Sequence, residues 1–164
     1  MRRAGRFRLR RSATGCRHRT ARHPAFPAGV VGAPPALWVR LRENIRKADA
    51  ILFVTPEYNR SVPAALKNAL DVGSRPYGQS AWNAKPAAII SVSPGGLGAF
   101  GANHHLRQPL VFLNMPALQR PEAYISKVGD LLDADGKLVN EGTRSFLKTF
   151  TDAFADWIER TAAK

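Results

Sequence analysis

The chain has 164 residues, enough for one domain with a buried core, and 45% of them are hydrophobic. One cysteine, 13 glycines and 12 prolines exclude a disulfide scaffold and a collagen-like repeat, and there is no apolar run of the roughly 18 residues that a membrane span needs. The 25 Lys and Arg against 12 Asp and Glu give a formal net charge of +13, but this charge is unevenly placed.

Residues 1–34 carry Arg2, Arg3, Arg6, Arg8, Arg10, Arg11, Arg17, Arg19 and Arg22, with no lysine and no acid. Gly and Pro interrupt the segment, and it has neither helical nor strand periodicity, so it reads as irregular or disordered. Three origins stay open: a misread frame, a cleaved targeting peptide, or a basic arm that contacts nucleic acid. Cys16, His18 and His23 fall in it, at a spacing that matches no zinc pattern. Residues 35–164 have an ordinary charge balance and form the expected folded domain.

In that domain Leu37, Leu41, Ile45 and Ala48 fall on one stripe and predict a helix over 37–48. The apolar run 50–54 predicts a buried strand. Ser61 is placed to cap a second helix with Pro63 in its first turn and Leu66, Ala69 and Leu70 on its inner face. A Gly/Ser/Pro/Asn-rich loop over 73–85 leads to a second buried strand, 87–92. A third helix carries Leu106, Leu110 and Leu113 on one face, with Pro109 expected to bend it. A weaker strand is read over 118–124, a turn at 133–136, and a final helix whose stripe is Phe146, Leu147, Phe150, Phe154, Trp157 and Ile158. Helix and strand alternate, which implies an α/β layer fold with a parallel sheet.

Ligands of such sheets bind at the carboxyl ends of the strands. Two loops leave strands there. One is Thr55-Pro56-Glu57-Tyr58-Asn59-Arg60-Ser61 and the other is Ser93-Pro94-Gly95-Gly96-Leu97-Gly98. Glycines let a flat ligand approach backbone N–H groups, and Asn59 and Tyr58 add an amide, a ring and a hydroxyl. The set suits a planar heterocycle such as a flavin, although the residues alone also allow a purely structural turn.

The run from Thr55 to Asp71, TPEYNRSVPAALKNALD, resembles the signature of the flavodoxin-like NAD(P)H-dependent FMN reductases, and His105-Leu106-Arg107-Gln108 and Arg120-Pro121-Glu122-Ala123-Tyr124 resemble the same family. Within it the resemblance is to the quinone and chromate reductase branch, and it extends from about Pro35 to the C-terminus. It implies a flavodoxin-like three-layer sandwich, FMN as cofactor and NAD(P)H as co-substrate. Pro56, Glu57, Tyr58 and Asn59 would lie along the flavin ring, and Ser93, Gly95 and Gly96 would close over its other side. The electron acceptor would be a quinone or a related compound such as chromate. No protein nucleophile or acid–base pair is required, since the flavin carries the redox chemistry. The resemblance further implies a homodimer or homotetramer, and the lone cysteine and lack of a secretory apolar segment suit the cytoplasm.

The family's first two strands and its Gly-Ser-x-Arg-type phosphate loop have no recognisable counterpart in residues 1–34, which would leave the strand at 50–54 as an apolar edge. Ala99 stands where the family usually has glycine, Pro109 interrupts a helix, and Val72 replaces an aromatic residue. An inactive remnant, with a basic arm binding nucleic acid or anionic surfaces, is the competing reading. The adjacent His104 and His105 point about 100° apart on a helix, a poor geometry for joint metal ligation, and read as a solvated helix start. Arg107 is expected either to pair across a subunit contact or to face solvent.

Overall fold

The structure is a computed structural model that describes residues 33–161. The readings of the arginine-rich segment up to residue 32 therefore lie outside the described residues. Four α-helices, α1 (Ala36–Lys47), α2 (Ala64–Gly73), α3 (Phe100–Phe112) and α4 (Glu141–Thr161), alternate with three strands, β1 (Ile51–Thr55), β2 (Ala87–Val92) and β3 (Ala123–Ile125). The strands form one parallel sheet in the order β1-β2-β3, with Ile51 opposite Ala87 and Ile90 opposite Ala123.

The register sorts side chains onto two faces, because successive residues of a strand point to opposite sides. Phe53, Ala87 and Ile89 turn towards α1, α2 and α3 and pack with Ile45, Leu70, Trp82, Leu106 and Leu110. Ala88, Ile90 and Ala123 turn the other way and pack under Phe150 and Phe154 of α4. The wide stripe predicted for the last helix is thus core. β2, at the centre, is buried from Ala87 to Ser91.

Four expectations need correction. Ser61 does not cap α2, which has no side-chain cap and starts directly after Pro63. The strand predicted over 118–124 is only three residues long. Residues 116–118 touch β2 through the Ala87–Ala117 bridge, but Pro121 has no N–H to continue the ladder, which resumes at Ala123. Pro109 does not interrupt α3: it lies inside the helix, in its last turn, and the helix runs on to Phe112. Finally, β1 is buried on one face only: α4 covers β2 and β3, and Leu52 and Val54 on that side are 40% and 62% exposed. Among the described residues β1 is an edge strand, the apolar edge that the sequence implied.

The return from α2 to β2 depends on one aromatic residue. The Trp82 indole packs 5.9 Å from the Phe53 ring and donates to the Leu70 carbonyl at 2.9 Å. It fills the space beside Gly73, where any Cβ would overlap the ring. Gly73→Ala should therefore destabilise the protein, although alanine is the better helix former by about 1 kcal/mol. Overpacking of this kind costs roughly 1–3 kcal/mol, and a lowered urea midpoint followed by circular dichroism is the expected result.

Candidate functional site

Both loops singled out from the sequence emerge at the carboxyl edge of the sheet, and each is tied down at its base. After β1, Tyr58 and Ser61 exchange backbone hydrogen bonds of 2.9 and 3.0 Å around Asn59 and Arg60. Both central residues have positive φ, 50° and 64°, the signature of a type I′ turn. The sequence reading missed this turn, because asparagine suits its first position but arginine is unusual at the second. The turn pushes Asn59 and Arg60 into solvent and leaves Tyr58 half exposed.

Glu57 points inwards. Its Oε2 accepts a 2.9 Å hydrogen bond from the Ala102 amide in the first turn of α3, and its Oε1 lies 3.5 Å from Arg60. A helix start has amides without intrahelical partners and a partial positive charge, and α3 has no side-chain cap of its own. Glu57 supplies that cap from a different element and so joins the two loops. Gly101 gives the carboxylate room: a Cβ there would stand 2.9 Å from Oε2.

The second loop hangs on a buried polar chain. Ser91, fully buried at the end of β2, donates to the Gly98 carbonyl at 2.8 Å and accepts from Asn103 Nδ2 at 3.2 Å. Asn103 in turn accepts from Arg107 Nε at 3.2 Å. Arg107 also donates to the Leu118 carbonyl and pairs with Glu122 at 3.7 Å. It is largely buried and bound within its own chain, so it does not simply face solvent, one of the two roles expected for it. At the other end of the loop Ser93 donates its amide to Ile125, and its hydroxyl accepts from the Gly95 amide at 3.0 Å. Gly98 has φ +58° and sits so close to β3 that a Cβ would come within 2.7 Å of the Tyr124 carbonyl carbon. Ala99 also has a positive φ, 59°, a conformation that explains why glycine would suit that position.

Between these anchors the exposed tips keep backbone donors. The amides of Asn59, Arg60, Gly96 and Leu97 have no acceptor among the described residues. A Cβ on Gly96 would meet no protein atom within 4 Å. Of the seven predicted site residues, Glu57, Ser93 and Gly95 are engaged in holding the loops, while Pro56, Tyr58, Asn59 and Gly96 are exposed. A cavity of about 450 Å³ begins at Tyr58 and Asn59 and continues along Ser61, Lys67, His105 and Pro109. The predicted residues of the second loop are not in its lining.

The two histidines part company. His104 packs on Phe100 with ring centroids 4.2 Å apart and reaches the Tyr124 hydroxyl at 3.0 Å, whereas His105 Nδ1 lies 2.7 Å from Ser61 Oγ. No group of three or more potential metal ligands occurs among the described residues, and no helix among them is long and apolar enough to cross a membrane. Tyr124 has its pKa pushed up to about 12, first by burial, then by the neighbouring Glu122 carboxylate, with Arg107 opposing.

The family model described as NADPH-dependent FMN reductase matches residues 18–130. The chain belongs to that family. A quinone reductase of Pseudomonas putida is 63% identical over 131 residues, 80% of this chain and 70% of that one. A 2-hydroxy-1,4-benzoquinone reductase of a Burkholderia species is 48% identical over 117 residues, 71% of this chain and 64% of that one. Among solved structures FerB, a flavoenzyme NAD(P)H:(acceptor) oxidoreductase from Paracoccus denitrificans, superposes with a TM-score of 0.79 at 42% identity, covering 85% of this chain and 77% of that one. The fold is therefore α/β and flavodoxin-like.

Two predictions follow the anchors. Glu57→Ala leaves the Ala102 amide unpartnered and should cost about 1–3 kcal/mol in urea unfolding, with Glu57→Gln recovering part of it. The raised Tyr124 pKa favours the protonated phenol in the folded state. Its stabilisation is complete below about pH 10, the ordinary tyrosine range, and is lost as pH rises through about 12. Tyrosinate absorbance near 295 nm should show a late-titrating component that is absent in Tyr124→Phe.

Proposed function

We propose that the chain is an NAD(P)H-dependent flavoprotein that passes two electrons from NAD(P)H through FMN to quinones. The observation that carries this reading is the pair of loops at the carboxyl edge of the sheet, locked to each other by Glu57 and the Ala102 amide, with amides at both tips that have no acceptor among the described residues. Such donors fit a flavin, whose ring edge alternates carbonyl and N–H groups. Gly96 is compatible with it too: no protein atom lies within 4 Å of where its side chain would stand, so the backbone there is open to a flat ligand.

In this reading Pro56, Tyr58 and Asn59 border the ring on one side and Gly96 on the other. Glu57, Ser93 and Gly95 act one step back, holding the backbone that faces it. Bound FMN supplies the chemistry of accepting a hydride and releasing the electrons to an acceptor. The protein's part is to orient the ring, keep its loops rigid and shape the space for donor and acceptor. The names of the quinone-reducing relatives support a quinone as acceptor; chromate as an alternative acceptor rests on the sequence resemblance alone. Residues 35–164 are the reductase domain, and we place the protein in the cytoplasm. Val111 and Phe112 near the end of α3 are 79% and 82% exposed, which supports self-association as a homodimer or homotetramer.

The purified protein should keep flavin absorbance after addition of FMN and desalting, and should oxidise NADPH with a quinone. A colourless, inactive protein refutes the reading. Gly96→Val separates fold from ligand: circular dichroism and urea midpoint stay near wild type, while FMN affinity falls at least tenfold, about 1.4 kcal/mol.

A further inference from the structure

The cavity beside the β1–α2 turn holds a polar pair to which electron transfer assigns no task. Ser61, expected as a helix cap, uses its hydroxyl 2.7 Å from His105 Nδ1, which ties the end of the turn to the second turn of α3. Pro109 has no amide hydrogen, so the His105 carbonyl lacks its helical donor, and both residues line the cavity with Tyr58, Asn59 and Lys67. At about 450 Å³ the space lies within the range of small-molecule pockets and takes a one- or two-ring aromatic compound. It also starts at Tyr58 and Asn59, the residues placed along the flavin.

We propose that this cavity seats the quinone, that His105 is the catalytic residue that protonates its carbonyl oxygen, and that Ser61 is the positioning residue that fixes the imidazole. The proposal rests on the quinone-reductase reading. Reducing a quinone to a hydroquinone consumes two electrons and two protons. A hydride equivalent, which the NAD(P)H-driven activity supplies, brings both electrons and one proton. His105 gives the other: the N–H bond of the imidazolium breaks, the O–H bond of the hydroquinone forms, and the exposed ring regains a proton from water. The charged groups around it are few. Lys67 shares the cavity and is paired with Asp71 at 2.7 Å, Tyr58 forms a wall, and His104 is turned away to Tyr124. The Lys67 ammonium favours negative charge developing on the quinone oxygen before the proton arrives.

The test compares 1,4-naphthoquinone with ferricyanide, which takes electrons without protons, using the FMN-loaded full chain. In His105→Gln the ratio of quinone to ferricyanide kcat/KM should fall at least tenfold, general acid catalysis being worth roughly 10²–10⁴-fold, and the fall of quinone turnover with rising pH should flatten. Ser61→Ala should lower the same ratio less and keep the pH dependence. A readout without turnover uses the wild type: the His105 imidazole NMR signals should shift when 1,4-dihydroxynaphthalene is added. An unchanged ratio or an unmoved His105 signal overturns the proposal. A wild type that reduces neither acceptor overturns the reductase reading itself, and the proposal with it.

Discussion

The hydroxyl of Ser91 is the contact on which the rest of the site depends. It is fully buried at the last position of β2 that pairs with β1, and it joins three elements by hydrogen bonds to Gly98, Asn103 and, at 3.2 Å, the Ala123 carbonyl. Asn103 and Arg107 carry the same chain across α3 to Leu118. Inside a protein such a network is strong when every member is satisfied and costly when one is missing. Here it fixes where the second loop ends and α3 begins, and hence the entry of the whole carboxyl edge.

Glu57 extends that rigidity to the first loop. A carboxylate held at the start of α3 satisfies an amide that the helix cannot satisfy itself, and it does so from the far side of the site. The two loops therefore divide their labour. Residues at their bases are consumed by internal hydrogen bonds, and residues at their tips offer exposed side chains and amides with no acceptor among the described residues. A rigid base with a free tip is what a planar cofactor needs, since orientation comes from the frame and recognition from the rim.

The sheet is covered unequally. Among the described residues three helices pack on one face, while α4 covers the other over β2 and β3. Among the described residues Leu52 and Val54 are exposed on an edge strand that carries no charge and no proline. Exposed apolar edges of this kind are usually covered or blunted in folded proteins.

Much of this was legible in the chain. Apolar runs at 50–54 and 87–92 read as strands of a parallel sheet, and the stripe from Phe146 to Ile158 as a core helix, because periodicity follows from which face must leave water. The family motif from Thr55 to Asp71 was equally plain, being a local string of residue types. What the sequence hid depends on partners far apart in the chain. Nothing in the neighbourhood of Ser61 shows that its hydroxyl meets His105 instead of capping α2, nor in that of Arg107 that it turns inward to Asn103 and Glu122. The type I′ turn at Asn59-Arg60 and the short β3 were missed for related reasons: an arginine held at positive φ and a ladder broken by Pro121 are outcomes of packing. The sequence determined the order of elements, the core faces and the family, since local pattern and composition encode them. Tertiary structure alone decided which polar side chains meet, because a hydrogen bond is a relation between positions that only folding brings within 3 Å.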